Sequence, residues 1–465
     1  MKLKDIKSLL AKHHQEHLLD FWPELSVSQQ ENLLGQIEGL EWENIDSWVE
    51  NYIKTEMPAK LPEKLESAPV YPAIASDPKI KALYEKAADY GKKLISAGKV
   101  AAFVVAGGQG TRLGFDGPKG NFPASPVKNK TLFRIFAEII LANSKKYNAV
   151  IPWYIMTSPL NHESTMSSFE DNKYFGLDKS DVFFFQQGTL PNFDFQGRVL
   201  LSAKDTIASS PDGHGGSLKA LYKSGAIADM KKRGIEQISY FQVDNPLINI
   251  IDPLFIGLHA IENAQMSSKA LKKAGPKEKV GNFCLANGRV VVIEYSDLPD
   301  ELAEKRNADG SLFFEMGSIA IHIISRDFVE KLNEKGFALM LHRAVKKIPY
   351  INSQGNIVNP EQPNGVKLET FVFDALPLAE KSVIFETLRE NEFAPVKNAS
   401  GSDSPEVTRR MMSDRCKAWL KNVGVNVSEN CVVEMSPLFA VCPEDVKMAK
   451  NKLISIKFND KIYIE

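Results

Sequence analysis

The chain has 465 residues, too many for one compact core, so two or three domains are expected. It is 43% hydrophobic and 25% charged, with 25 Pro and 29 Gly, which excludes a disordered or collagen-like chain. A formal net charge of -1 excludes a bulk field that would draw in nucleic acid or an anionic membrane, so any phosphate binding must come from local constellations.

Residues 1–97 are rich in Lys, Glu, Leu and Gln, with apolar residues at helical spacing in Ile6, Leu9, Leu10 and again in Leu33, Leu34, Ile37. They are expected to form a helical N-terminal domain, anchored through Trp42 and Trp48 against something larger. Pro58, Pro62, Pro69, Pro72 and Pro78 punctuate an extended crossing segment that leads into a helix at 79–97. The opening MKLKDIKSLLAKHHQEHLLDFW is charged throughout and contains no uninterrupted apolar stretch, unlike a signal peptide.

The texture changes at 100–106, VAAFVVA, a continuous β-branched-rich run of the kind found in parallel strands covered on both faces. This is also the longest apolar run, far too short to span a bilayer. A glycine-rich loop follows, then a helix over 132–146, a strand over 153–157, a helix over 162–171 and a strand over 182–186. A helix over 217–232 and a strand over 238–243 complete the alternation. Strands alternating with helices predict an α/β fold with a doubly wound mixed sheet of Rossmann-like, nucleotidyltransferase type, its ligands gathered beyond the carboxyl ends of the strands. From 267 to 295 closely spaced strands, with a turn at Asn287-Gly288, predict an antiparallel extension that lines a second ligand. Residues 367–388 return to helix and strand. This catalytic α/β domain is placed at 98–395, and a small C-terminal domain, part helix and part strand, at 396–465. Cys284, Cys416, Cys431 and Cys442 show no metal-ligand spacing and fit reduced thiols of a cytoplasmic protein.

The strongest chemical signal is AGGQGTRLGFDGPKG, residues 106–120, directly after the first buried strand. Four glycines between Gly107 and Gly114 let backbone N–H groups surround an anion without Cβ interference, and Arg112 and Lys119 add fixed positive charge. A dinucleotide fingerprint starting at Gly108 fails because Leu113 stands where its last Gly belongs, and no Gly-Lys-Ser/Thr follows as a Walker loop requires. An NAD-dependent oxidoreductase is therefore disfavoured. Asp244 ends the strand over 238–243, where it could hold a metal or simply begin a turn before Asn245-Pro246. Gln187, by spacing alone, is a strand-end surface residue.

This loop resembles the signature of the UDP-N-acetylhexosamine pyrophosphorylases and their UDP-sugar pyrophosphorylase relatives. The resemblance continues through Gln187, Pro211-Asp212-Gly213-His214-Gly215-Gly216, Val243-Asp244-Asn245 and Glu294-Tyr295-Ser296. It extends through Pro363-Asn364-Gly365-Val366-Lys367, Phe371-Val372-Phe373-Asp374 and Pro395-Val396-Lys397-Asn398, covering roughly residues 100–410 in the family's order. It implies a uridylyltransferase that joins UTP to a sugar 1-phosphate with the help of Mg²⁺. UTP would be held by Gly107, Gly108, Gly110, Thr111, Gln187, Gly213 and His214. Asp244 would hold the metal, and Arg112, Lys119 and Lys397 would be catalytic. Lys367 would bind phosphate. The sugar would lie among Gly281, Glu294, Tyr295, Gly317 and Ser318.

Two departures bear on the sugar. His214 stands where the eukaryotic N-acetylhexosamine enzymes usually carry Asn and the UDP-sugar pyrophosphorylases carry His. Ser318 stands where Asn is usual. The expected acceptor is N-acetylglucosamine 1-phosphate, the alternative a UDP-sugar pyrophosphorylase that prefers glucose or galactose 1-phosphate or is broad in sugar. A non-catalytic nucleotide-sugar sensor would be expected to lack Arg112, Lys119 or Asp244, and all three are present. No nucleic-acid or membrane partner is expected, and the chain is expected to be a monomer or weak homo-oligomer.

Overall fold

The computed structural model describes residues 2–55, 61–454 and 460–465; Pro58 of the crossing segment and 455–459 of the C-terminal tail lie outside the described residues. Ten strands form the main sheet: β1 (Leu65–Ser67), β2 (Val100–Val105), β3 (Trp153–Thr157), β4 (Val182–Gln186), β5 (Gln237–Gln242), β6 (Met266–Lys272), β7 (Gly281–Ala286), β8 (Arg289–Ile293), β9 (Met316–Ser325) and β10 (Ser382–Glu386). Their order is β1-β7-β9-β5-β2-β3-β4, with β6 pairing β9 and β10, and β8 pairing β7. Strands β5, β2, β3 and β4 run parallel, while β9 lies antiparallel to β5, so the α/β mixed sheet is as expected.

Every residue of β2 and β3 is buried, which is why these strands read as unbroken apolar runs rather than as alternating ones. One face, with Ala102, Val104, Trp153 and Ile155, packs into a core shared with helices α1 (Pro78–Ser96), α2 (Leu132–Tyr147) and α6 (Pro253–Ile261). On the other face Tyr154 Oη donates to Asp229 Oδ2 at 2.6 Å, on helix α5 (Ala226–Arg233). Helices α1 and α6 cross through facing glycines. A Cβ on Gly91 would lie 1.9 Å from Pro253 O, and one on Gly257 would lie 1.7 Å from Ala87 O.

The single helix expected over 217–232 is instead two, α4 (Gly216–Lys223) and α5, because Gly225 adopts φ 84° between them and breaks the hydrogen-bond ladder. Helix α3 (His162–Asp171) agrees with its expected limits. The antiparallel extension is present as β6, β7 and β8, and the turn at Asn287-Gly288 has φ of 50° and 74°, the double left-handed geometry that joins tight hairpins.

By packing, the chain forms two compact units: 1–61 with 187–217 and 339–374, and 62–186 with 218–338 and 375–465. The division therefore falls after residue 61 and not after 97. The N-terminal helices Leu3–Lys12, Val27–Glu38 and Trp42–Trp48 complete their core with distant segments, burying Ile6, Leu33, Trp42 and Trp48 with Phe193, Val199 and Val366. Residues 396–465 belong to the larger unit and carry an apolar cluster of their own around Leu420, Val433, Val446 and Ile464. Among the described residues, no helix is long and apolar enough to cross a membrane.

Candidate active site

Strand β2 delivers the chain to the glycine loop, which then folds back on itself. Gly110 N–H donates to Gly117 O at 2.9 Å and Lys119 N–H to Gly108 O at 3.0 Å, while Gly110 O accepts from Leu113 N at 2.8 Å and Phe115 N at 3.2 Å. Close packing demands two of the glycines: a Cβ on Gly110 would lie 2.7 Å from the Phe115 ring, and one on Gly120 would lie 2.1 Å from the Phe133 ring. Gly110, expected at the nucleotide, thus shapes the loop. Gly108 faces open space, its nearest prospective Cβ neighbour being Lys119 Cε at 4.0 Å. The N–H groups of Gly107, Gly108 and Gln109 donate to nothing among the described residues, which leaves three neighbouring backbone donors available to a ligand. Thr111 and Arg112 are exposed on the short 3₁₀ turn Thr111–Leu113.

A residue that sequence spacing did not single out holds this loop in place. Asn161 is fully buried; its Nδ2 donates to Ala106 O at 3.0 Å and Gly108 O at 3.3 Å, and its Oδ1 accepts from Ser158 N at 2.8 Å. It fastens the loop after β2 to the loop after β3.

Strand β5 lies parallel to β2 with Gln242 opposite Val105, and Val243 N–H donates to Val105 O at 3.2 Å. Asp244 therefore emerges at the same sheet end as the glycine loop. Val396 N–H donates to Asp244 O at 2.8 Å, which brings Lys397 alongside, its ammonium 5.7 Å from the centre of the Phe393 ring. Burial holds the Lys119 ammonium below the usual lysine range; Asp244 opposes this and the charges of Arg112 and Lys397 add to it. The other three charged candidates on these segments, the cations Arg112 and Lys397 and the carboxylate Asp244, are thus each within electrostatic reach of Lys119. Among the described residues no cluster of three or more His, Cys, Asp or Glu could hold a metal. A lone carboxylate fits a hard cation such as Mg²⁺, which is commonly bound by one or two carboxylates while substrate phosphates and water supply its other oxygens.

The sugar candidates meet on neighbouring strands. Along one edge of β9, strand β5 covers Ser325 to His322 and β7 then takes over at Ser318 and Gly317, so β7 begins where β5 ends. Gly281 pairs with Ser318, and a Cβ on Gly281 would lie 2.5 Å from Val292 Cγ1, 3.3 Å from Glu294 Oε1 and 3.8 Å from Ser318 Cβ, so packing against Val292 requires the glycine. Gly281, Glu294, Gly317 and Ser318 are brought together in this way. Tyr295, next in the chain, is 45% exposed. Beneath them lies a pair that the sequence did not reveal: Lys273 Nζ donates to Asn282 Oδ1 at 2.5 Å, both side chains buried, and burial lowers the lysine pKa.

Gln187, Gly213, His214 and Lys367 belong to the smaller unit. Gln187 Nε2 donates to Gly213 O at 2.8 Å and Asp212 Oδ1 at 3.2 Å. Gly213 has φ 83° and leaves no room for a side chain, since its Cβ would lie 2.3 Å from Thr370 O. The His214 ring stacks 5.3 Å from Phe371, and its Nδ1 accepts from Val372 N–H at 3.1 Å, which in the neutral ring leaves the proton on Nε2. Burial pushes its pKa down to about 4, with Asp374 opposing and His342 adding. His342, unnoticed in the sequence, contacts the Phe371 ring at 4.3 Å and bonds Asp374 Oδ2 through Nε2 at 2.7 Å. Lys367 lies half-buried in the strand Gly365–Glu369, opposite Ala344.

Comparison with known proteins agrees with these features. Residues 50–457 match the UTP–glucose-1-phosphate uridylyltransferase family. The chain is 36% identical to human UDP-N-acetylhexosamine pyrophosphorylase-like protein 1 over 90% of this chain and 86% of that one. It is 35% identical to a probable UDP-N-acetylglucosamine pyrophosphorylase of Schizosaccharomyces pombe over 98% of each. The crystal structure of the uridine diphosphate N-acetylglucosamine pyrophosphorylase of Trypanosoma brucei, in complex with an inhibitor, superposes with a TM-score of 0.84 at 28% identity, covering 100% of this chain and 98% of that one. With the match running through the glycine loop, Asp244 and Lys397 alike, the chain belongs to the UTP–glucose-1-phosphate uridylyltransferase family.

Proposed function

We propose that the protein transfers the uridylyl group of UTP to N-acetylglucosamine 1-phosphate, forming UDP-N-acetylglucosamine and releasing pyrophosphate. The observation that supports this reading is the single sheet end that carries the glycine loop with its free backbone donors, Asp244 and, through Val396 N–H on Asp244 O, Lys397, with Arg112, Lys397 and Asp244 in electrostatic reach of Lys119. The acceptor phosphate has a second pKa of about 6, as other phosphate monoesters do, so it attacks without a general base. One of its oxygens forms a bond to the α-phosphorus. The bond from that phosphorus to the bridging oxygen breaks, and pyrophosphate leaves with the electron pair. The protein's task is positioning and charge neutralisation. Lys397 holds the acceptor phosphate in line, and Arg112 and Lys119 receive the charge that develops on pyrophosphate. Asp244 would hold Mg²⁺, which when bound neutralises phosphate charge. Gln187 and the Nε2–H of His214 suit the donor and acceptor edge of uracil.

The acetylated sugar is favoured by the relatives' names. Ser318 is shorter than the usual Asn, and one lost hydrogen bond is worth about 0.5–1.5 kcal/mol, so discrimination should be looser. The test is pyrophosphate release from UTP with a panel of sugar 1-phosphates. N-acetylglucosamine 1-phosphate should give the highest kcat/KM, with measurable use of N-acetylgalactosamine or glucose 1-phosphate, and Ser318→Asn should sharpen the preference. A higher kcat/KM for glucose or galactose 1-phosphate would overturn the sugar assignment.

A further inference from the structure

Lys269 is an anomaly for a strand residue: it is fully buried in β6, yet charged. Its Nζ donates to Glu392 Oε1 at 2.5 Å and Oε2 at 2.7 Å, and to Asp252 Oδ2 at 2.6 Å. An unpaired ammonium could not be kept in such a place, and two carboxylates at hydrogen-bond distance compensate its desolvation. The same Asp252 caps helix α6 through Leu254 N at 3.0 Å and Phe255 N at 3.3 Å. One buried ion thus joins the middle of the sheet, the start of a helix and the segment around Glu392.

That segment leads straight to the reacting groups. Asn245, next to Asp244, donates from Nδ2 to Glu392 O at 2.7 Å and accepts Ala394 N–H on Oδ1 at 3.1 Å. Val396 N–H then reaches Asp244 O, as described, and Lys397 N–H donates to Asp403 O at 2.8 Å. Residues 392–397 are therefore clamped at one end by Lys269 and along their length by Asn245 and Asp244. Lys269 also neighbours Ala270, which pairs with Ser318 in the sugar group, and the strand register shifts at this point.

We propose that the buried Lys269–Glu392–Asp252 ion cluster, relayed by Asn245, is the positioning device that sets Lys397 opposite Asp244 and against the acceptor phosphate. Neither Lys269 nor Glu392 touches substrate; they act through Lys397. A hydrophobic filler of the same volume would pack the fold as well, but it would leave the 392–397 segment without its anchor. The proposal rests on the reading of Lys397 as the acceptor-phosphate ligand.

The experiment is a double-mutant cycle between Glu392→Gln and Lys397→Ala in the full-length protein, with Asn245→Ala as a second route to the same relay. Kinetics with UTP and N-acetylglucosamine 1-phosphate are measured separately, beside melting temperature and calorimetric UTP binding. Glu392→Gln and Asn245→Ala should each lower kcat/KM for the sugar phosphate by at least about tenfold, as expected for a catalytic group displaced by a fraction of an ångström. UTP binding should change less than threefold by the same reasoning. In the Lys397→Ala background neither substitution should lower the residual rate further. A full additional loss in that background would overturn the positioning role, as would equal damage to UTP binding or unchanged sugar-phosphate kinetics in Asn245→Ala. If Lys397→Ala itself leaves kcat/KM intact, the reading of Lys397 fails first, which separates the two failures.

Discussion

Gly108→Ala separates a glycine kept for ligand from a glycine kept for packing. The new methyl meets nothing closer than Lys119 Cε at 4.0 Å, and the residue's φ lies outside the left-handed region, so the folded state accepts it. Because alanine restricts the unfolded chain, stability should rise by about 0.4–1 kcal/mol. The methyl projects into the open side of the loop, where a ligand contacting the backbone would be displaced by its radius. A misplacement of about 1 Å costs roughly 10²-fold in rate. Gly120→Ala is the counterpart. Its methyl would lie 2.1, 2.2 and 2.5 Å from three atoms of the Phe133 ring, which is fully buried and held by Trp153 at 6.2 Å and Phe169 at 5.1 Å. Overpacking of this kind costs about 1–3 kcal/mol. The assays are urea denaturation and UTP kinetics on both variants. Gly108→Ala should keep its stability and lose roughly two orders of magnitude in kcat/KM for UTP, whereas Gly120→Ala should lose stability. Wild-type kinetics in Gly108→Ala would refute the assignment of the loop's open side to UTP.

Three further outcomes are expected. Asp244→Asn should abolish Mg²⁺-supported turnover while leaving the melting temperature near wild type, because the amide removes the ligand charge and keeps the shape; near wild-type turnover would mean that phosphates alone carry the ion. His214, with its folded pKa lowered from 6.5 to about 4, contributes stability that is present above pH 6.5 and lost as pH falls through that window. An NMR titration should find this ring neutral at pH 6, and a midpoint near 6.5 would contradict the burial argument. Ala320 sits at φ 54° within β9, a conformation that costs an L-residue about 1–2 kcal/mol, so Ala320→Gly should stabilise the protein by up to about 1 kcal/mol in urea denaturation; a loss of stability would show that the site favours the Cβ.

What was legible in the chain followed from local rules. The buried strands β2 and β3 announced themselves because both of their faces are covered, and Asn287-Gly288 announced the hairpin because few other residues adopt two successive left-handed conformations. The glycine loop was legible because its cations and glycines are contiguous. The place of Asp244 at the end of an apolar strand was legible from the chain, whereas the metal role expected of it came only with the family resemblance. The misses are non-local. Nothing near Trp42 or Trp48 tells that their core is completed by Phe193 and Val366. The short pairs Thr189–Pro191 with Ser209–Pro211, and Leu201–Ala203 with Thr206–Ile207, have too few apolar residues to show a period. Lys269 carried no signal, because the two carboxylates that compensate it lie 17 residues upstream and 123 residues downstream. Asn161 had no signal at all, since its partners are backbone atoms and the hydroxyl of Ser158.

The central claim is the reaction itself, and one ³¹P NMR experiment addresses it. The protein is mixed with UTP, N-acetylglucosamine 1-phosphate and Mg²⁺, and the phosphorus resonances are followed in time. The account predicts that UDP-N-acetylglucosamine and pyrophosphate grow in equal amounts as UTP and the sugar phosphate disappear, and that Lys119→Ala slows both together. Persistence of the sugar 1-phosphate while UTP is hydrolysed, or no change in either substrate, would contradict it.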